Sequence, residues 1–276
     1  MTAVRRLAPR VALVVVFGAI ALVFLFPFYW MAVSSVRTNG QIYSSQLNLL
    51  PRSITWKNYH DLFTTTLFFR WVLNSLIVSG GTVLLGIVFS TFAGFAFAKY
   101  RFAGAGVIFM SIFVMISIPR FVTIIPIFKL LSTIGFTNTY AALILPFAVN
   151  PFAVFLMRQY IKSVPDELLD SARIDGVNEL GLVGRIVVPT IRPAIGAAGI
   201  FILMTSWNDF LFPLILMGDA KLQLFPVGLS SLKTLYVIEW GMIMAGSLLS
   251  TLPLIVAFLL LQRQFIAGLT EGSVKG

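Results

Sequence analysis

Cysteine is absent from the 276 residues, and histidine occurs once, at His60. The first absence excludes disulfides, cysteine-ligated metal and thiol nucleophiles, and it leaves the redox compartment unread. No Gly-x-x-x-x-Gly-Lys-Ser/Thr phosphate loop occurs, so ATP and Mg chemistry, if the protein needs it, belongs on separate chains. Charge is scarce as well, at 11% of residues against about 25% in a soluble domain. With no carboxylate pair and no metal-ligand cluster in view, neither a catalytic residue nor a metal or cofactor site is expected in this chain.

What remains is apolar: 58% of residues are hydrophobic and the mean hydropathy is +0.95. That predicts an all-α polytopic membrane protein. A chain of this length holds about six spans of about 20 residues with short loops, and no fused ATPase domain. The spans are predicted at 11–33, 71–98, 104–131, 139–160, 195–217 and 240–261, in a single domain over 1–276 with membrane lipid around it. Arg5, Arg6 and Arg10 precede the first, whose apolar core is too long for a signal peptide and lacks a small-residue cleavage site. Pro27 is expected to bend it.

The net charge of +10 is scattered through loops between apolar runs, which argues for membrane orientation and against nucleic acid as a partner. With both termini inside, twelve of the twenty Lys and Arg fall on the inner side, in agreement with the positive-inside rule. Trp56, Tyr59 and Trp71 suit an interfacial aromatic belt. The second span carries Gly80, Gly81, Gly86 and Gly94, small residues that let helices approach closely in lipid, so it is expected at the centre of the bundle.

One polar island, residues 163–193, interrupts the apolar pattern. Leu168, Leu169 and Ala172 recur at helical spacing among Asp166, Asp170, Arg173 and Asp175, which predicts an amphipathic helix of about three turns. Pro165 suits its first turn, and Ser163 fits a capping box with Asp166. Gly176 supplies a positive φ where the helix stops, and Glu179 begins a second short helix. So charged a segment belongs at the membrane surface or on another protein.

Asp170-Ser171-Ala172-Arg173-Ile174-Asp175-Gly176, followed by Ile186-Val187-Val188-Pro189 and Pro193, resembles the EAA loop of binding-protein-dependent ABC importer permeases. That pattern has Glu-Ala-Ala, three residues, Gly, and an apolar-x-apolar-Pro group ending thirteen residues beyond the Gly. Here Asp170 stands for the Glu and Ser171 for the first Ala. Trp56-x-Asn58-Tyr59, Asn74-Ser75-Leu76, the Thr139 to Arg158 stretch, Trp207-Asn208-Asp209-Phe210-Leu211 and the tail from Gln262 are similar to the carbohydrate group of these permeases, the maltose transporter family among them.

The resemblance implies a cytoplasmic coupling helix between spans four and five, with Asp166, Glu167, Asp170, Ser171, Ala172, Arg173, Asp175 and Gly176 seated on the ATPase. It also implies a second, related permease subunit, a dimer of ABC ATPases holding ATP and Mg, and an extracytoplasmic solute-binding protein, all at a prokaryotic inner or plasma membrane.

The solute pathway has its own candidates. Arg120, between Pro119 and Pro126, is costly against lipid and should pair with an acid or line the route, unless it lies near an interface and snorkels. Asn150 has an amide to offer a sugar hydroxyl, or to satisfy backbone freed by Pro151. Trp207, Asn208 and Asp209 join an aromatic ring to polar groups, as sugar binding requires; Asp209 has a structural ion pair with Arg120 as its alternative. An ion-gradient-driven secondary transporter is the competing function, but it needs carboxylates or histidines within spans, and Asp209 is nearly alone there.

Overall fold

The computed structural model describes residues 2–44, 48–233 and 238–270, with side chains from Leu13 to Gln264 within them. The carboxy-terminal Gly272 to Gly276 lie outside these, as do the side chains of Arg5, Arg6 and Arg10. The described residues are overwhelmingly helical; Lys233 and Ile238 make an isolated antiparallel bridge. Two units can be separated, residues 1–68 with 229–252 and residues 69–228 with 253–276.

The first unit is built on the Thr2–Ser35 helix, which runs through Pro27 without interruption. Its side chains from Leu13 to Phe28 are exposed and almost all apolar, as a lipid-facing rod requires. A polar node closes its end. The Nδ2 of Asn58 donates to the carbonyls of Ser35 and Arg37 at 2.8 and 2.7 Å, satisfying acceptors that the helix end leaves open. Gly241 lies directly against the Asn58 amide, where a Cβ would collide. Asn39 donates to Glu239 at 2.6 Å, and the Tyr43 hydroxyl to the Ile238 carbonyl at 2.9 Å. The Trp56-x-Asn58-Tyr59 sequence is thus a helix-ending device, with Trp56 exposed beside it.

The second unit is organised around the Phe68–Lys99 helix, nearly all of which it contains. The glycine spacing is used as expected at three of four positions. A Cβ on Gly81 would meet Ile144 at 2.8 Å, one on Gly86 Ile202 at 2.9 Å, and one on Gly94 both Met157 at 2.7 Å and the Arg158 backbone nitrogen at 2.9 Å. Gly80 faces open space. Asn74 and Ser75 fasten the outer end of this helix: Asn74 donates to the Lys221 and Gln223 carbonyls and accepts from Tyr140, while Ser75 accepts from the Phe225 N–H. Trp71 is a correction. It is buried against Gly228 rather than placed in an interfacial belt.

Among the described residues, three helices are long and apolar enough to cross a membrane: Leu13–Ser35, Phe68–Lys99 and Trp240–Gln264. Three bent pairs bring the total to as many as six: Ala105–Met115 with Arg120–Thr133 (101°), Tyr140–Phe147 with Pro151–Lys162 (44°), and Glu179–Thr190 with Arg192–Trp207 (85°). The breaks follow proline. Pro119 forces Ile118 away from helical geometry, and Pro151 opens its helix at the first position behind Asn150.

The predicted span at 195–217 is likewise interrupted. The Arg192–Trp207 helix stops, and Leu211–Leu216 restarts after Asn208 to Phe210. Pro213 explains the gap, because its ring would collide with the Asp209 carbonyl in a continuous helix. The last helix exceeds its prediction, running from Trp240 to Thr270 through Pro253 and into the tail. There Gln264 packs so closely on Gly196 that a Cβ would lie 2.5 Å away.

Candidate functional site

Two polar constellations stand out in the second unit. The first is the island. Its amphipathic helix is Asp166–Ile174, and Gly176 adopts φ +82° at its end. Glu179–Leu182 and a π-turn over Val183–Val187 return the chain, with the Asn178 side chain capping the Gly181 N–H at 2.8 Å. The cap of the first helix differs from prediction. Pro165, extended at ψ 136°, is itself the cap residue and makes no side-chain bond. Ser163 instead closes the preceding helix, donating to the Tyr160 carbonyl at 2.7 Å, because that helix runs on to Lys162.

Leu169 is buried among Phe95, Met157, Ile161, Val187 and Ile191, and so holds the island to the helices beneath it. Leu168 and Ile174 point outward; Ile174 is 86% exposed. Glu167, Asp170, Ser171, Asp175 and Gly176 share that outward surface, and Ala172 is half-buried.

An ionic network fixes the island from below. Lys99, at the end of the Phe68–Lys99 helix, donates to the Val164 carbonyl and to Asp166 at 2.7 Å. Its side chain is 7% exposed, whereas that of Asp166 is 76% exposed. Tyr100 donates to Glu179, which receives Arg173 at 3.0 Å, and Arg173 reaches Asp170 at 2.7 Å. Hydrogen bonding to Lys99 holds the Asp166 carboxyl below its usual range, and Arg173 followed by Tyr100 does the same for Glu179. Arg173 is raised in return, chiefly by Glu179 and then by Asp170, and Tyr100 is raised by burial and by Glu179. Lys99, Tyr100 and Glu179 were not singled out from sequence as part of the site. The basic run at 99–101 next to a helix end was the available signal.

The second constellation is a cavity of about 320 Å³, near the lower end of small-molecule sites. It brings Arg120, Asn150 and Asp209 together with Thr82, Thr205 and Ser206. Arg120 donates to Asp209 at 3.0 Å across 89 residues of sequence, joining two helix breaks. Its guanidinium lies 4.3 Å from the Phe147 ring centroid and 5.4 Å from that of Phe212, and these rings meet edge to face at 4.7 Å.

Asn150 caps the Pro151–Lys162 helix, its Oδ1 accepting from the Ala153 N–H at 3.0 Å, so the structural use of this amide is real; it also lines the cavity. Asp209 accepts from the Phe212 N–H at 3.4 Å in the same manner. Trp207 is 2% exposed and lies outside the cavity lining, and Asn208 bonds back to the Met204 carbonyl at 2.8 Å. The cavity's aromatic faces come instead from Phe147, Phe152 and Phe201. Among the described residues no group of three or more His, Cys, Asp or Glu is disposed to hold a metal.

Residues 86–270 match the family described as "Binding-protein-dependent transport system inner membrane component". The chain is 38% identical over 270 residues to the arabinooligosaccharides transport system permease protein AraQ of Bacillus subtilis (strain 168), covering 97% of this chain and 96% of that one. It is 31% identical over 275 residues to the lactose transport system permease protein LacG of Rhizobium radiobacter, covering all of both. Its fold is similar, at a TM-score of 0.81 and 22% identity over 92% of this chain and 95% of the other, to a chain from the crystal structure of a bacterial ABC transporter involved in the import of the acidic polysaccharide alginate. The island, the broken apolar helices and these relationships together place the chain among the binding-protein-dependent inner membrane components: it is a multi-pass permease subunit of an ABC importer, a transport component and not an enzyme.

Proposed function

We propose that this permease pairs with a second, related permease subunit to form an alternating-access route for a carbohydrate or similar hydrophilic solute. An extracytoplasmic solute-binding protein delivers the solute, and two cytoplasmic ABC ATPase chains, holding ATP and Mg, drive the cycle. In this reading the chain is one transmembrane domain of six spans with both termini in the cytoplasm, and the island faces the same side. The names of the relatives, which transport arabinooligosaccharides and lactose, support the solute class.

The observation that carries the reading is the division of the island into two faces. Leu169 and the Lys99 and Tyr100 bonds tie it to this chain, while Leu168, Ile174 and the Asp170 to Gly176 surface are left for another protein. An exposed isoleucine on a charged helix is a surface that a partner cleft can cover. Asp166, Glu167, Asp170, Ser171, Ala172, Arg173, Asp175 and Gly176 act as the coupling element. Closure of the ATPases moves this element, and the helices anchored to it switch the permease between inward- and outward-facing states. Nucleotide biases that switch only through different affinity for the two states. Arg120, Asn150 and Asp209 act at the solute route, and Trp207 and Asn208 support the break that presents Asp209.

Purification of the solubilised chain from its own cells, with mass identification of what accompanies it, tests the reading. Recovery of a second permease and an ATPase, lost when Asp170 to Gly176 is altered, is the expected result. Recovery of the chain alone, still transporting in vesicles without ATP, would overturn the pairing and the ATPase coupling proposed for it.

A further inference from the structure

The charge of the cavity is balanced from within. Among the described residues that line it, Arg120 and Asp209 are the ones that carry charge, and they are bonded to each other at 3.0 Å. The guanidinium is held further by the faces of Phe147 and Phe212. We propose that this cavity is built for an uncharged, hydroxyl-donating solute, and that Asp209 is the residue that sets this selectivity, by balancing the charge of Arg120 and so removing the net positive charge an anion would need. The inference rests on the transport reading above and adds the charge class of what is carried.

The hydrogen-bonding inventory points the same way. Three threonines of the lining have committed their hydroxyl protons to backbone carbonyls: Thr82 to Val78, Thr123 to Arg120 and Thr205 to Phe201 and Ile202. What they offer a solute is therefore oxygen lone pairs. Asp209 offers only lone pairs as well. Asn150 has its Oδ1 committed to Ala153, which leaves its amide nitrogen as a donor.

A sugar or polyol hydroxyl can both donate to the lone pairs and accept from the amide. A phosphate or carboxylate accepts only, so it would set its charge against the threonine oxygens and the Asp209 carboxylate, with Arg120 already engaged. At Asp209, whose side chain is 15% exposed, such a mismatch is poorly screened. The rings of Phe152 and Phe201 are apolar surface against which the C–H groups of a pyranose or furanose can pack.

Without Asp209 the balance reverses. Asp209→Asn leaves a cation facing a small apolar cavity, and that is an anion site. Arg120→Gln leaves a carboxylate there without its counter-charge. The double variant Arg120→Gln with Asp209→Asn removes both charges and keeps the cavity neutral.

The test uses the complete complex, purified with its partners and reconstituted with its solute-binding protein and ATP in proteoliposomes. Uptake is measured for a panel of neutral di- and trisaccharides, for glycerol 3-phosphate and for a uronate trisaccharide. The wild type should take up a neutral member of the panel and neither anion. Uptake of that solute should fall by about tenfold in Arg120→Gln, which strands the mostly covered Asp209, and by less in Asp209→Asn, where the remaining Arg120 is 47% exposed, and should recover in the double variant. Inorganic phosphate trapped inside the vesicles should inhibit Asp209→Asn and leave the wild type unaffected.

Receptor-dependent uptake of either anion by the wild type would overturn the proposal. So would single variants that transport normally, phosphate that leaves Asp209→Asn untouched, or a folded double variant that carries no neutral solute. If the single variants do not fold, the double variant alone decides. A wild type that takes up nothing in response to ATP would instead overturn the transport reading beneath the proposal.

Discussion

The two polar constellations of the second unit use charge in opposite ways. In the island, Lys99 pairs with Asp166, and separately Tyr100, Glu179, Arg173 and Asp170 form a chain of contacts; the carboxylates face solvent. In the cavity, Arg120 and Asp209 have each other, with phenylalanine rings in place of further ions. Exposed pairs in high dielectric contribute little each, and loss of one leaves the others standing. The cavity pair has no substitute: removing Arg120 strands Asp209, whose side chain is 15% exposed, whereas Arg120 itself is 47% exposed. Redundancy therefore suits the island to a surface that must survive repeated docking and release. The lone pair makes the cavity sensitive to a single charge.

This contrast ranks the expected effects of mutation. The largest belongs to the cavity, where Arg120→Gln strands the mostly covered Asp209 and should reduce uptake by about tenfold, with rescue by Asp209→Asn. If the island were equally non-redundant, neutralising Asp170 would do the same; uptake by Asp170→Asn within about twofold of wild type is the expected result.

Backbone geometry supplies the next effect. Gly176 sits at φ +82° with its N–H donated to the Arg173 carbonyl at 3.0 Å. Proline locks φ near −65° and removes that donor, so Gly176→Pro must rebuild the turn. Solute carried per ATP hydrolysed should fall by about tenfold, while the thermal stability of the spans stays near that of wild type, since a Cβ at Gly176 meets nothing within 4 Å. Normal uptake by an assembled Gly176→Pro complex would remove the island from the coupling route. Gly176→Ala should show a milder form, with a cost of about 1 kcal/mol confined to the turn.

Lys99 lies between the two regimes, because it is buried while its partner Asp166 is exposed. Lys99→Met leaves the Val164 carbonyl without this donor, a local cost of about 1–3 kcal/mol. Hydrogen exchange over residues 163–176 should accelerate, with a drop in uptake of about fivefold that corresponds to the lower end of that cost. Unchanged exchange in Lys99→Met would show that Leu169 and its apolar neighbours hold the island without ionic help.

How far each constellation can be read from sequence follows from the same contrast. The island is local. Its helix, its left-handed glycine and its returning helix all lie within about thirty residues, so spacing and turn chemistry suffice. The cap failed as a prediction because Ser163 is equally placed to end one helix or begin the next, and the competition is settled by where the Pro151–Lys162 helix stops. Lys99 and Tyr100 were invisible as anchors, since their partners lie 67 and 79 residues away.

In the cavity, composition marked Arg120 and Asp209 as costly residues in apolar segments, and their pairing was one of the alternatives that cost implied. The helix break at Asn208 to Phe210 was readable from Pro213 but was hidden by the apolar run around it. Trp207 misled for a different reason: an aromatic beside two polar residues fits a binding face, yet the helix turns that ring into the protein core and gives the cavity Phe147, Phe152 and Phe201.

The smallest effect is that of acid on the island. Asp166 and Glu179 are held below their ordinary values of 3.8 and 4.5 by Lys99 and Arg173. A carboxylate depressed in the folded state contributes stability that is fully present above its unfolded value and is lost as pH falls through the folded one. The window therefore lies below about pH 4.5, and across pH 5 to 8 these two groups should leave coupling unchanged. Trypsin cleavage after Arg173 would follow the change directly in samples briefly exposed to lower pH and returned to neutral with the protease, if the island reforms more slowly than it is cut. A protease acting at low pH, with hydrogen exchange as a second readout, avoids that race. Protection of the island should fall below pH 4.5 while the Asp209 region keeps its own protection. An island that opened between pH 5 and 8 would mean that its carboxylates are not depressed, and that the Lys99–Asp166 and Arg173–Glu179 pairs are looser than their distances imply.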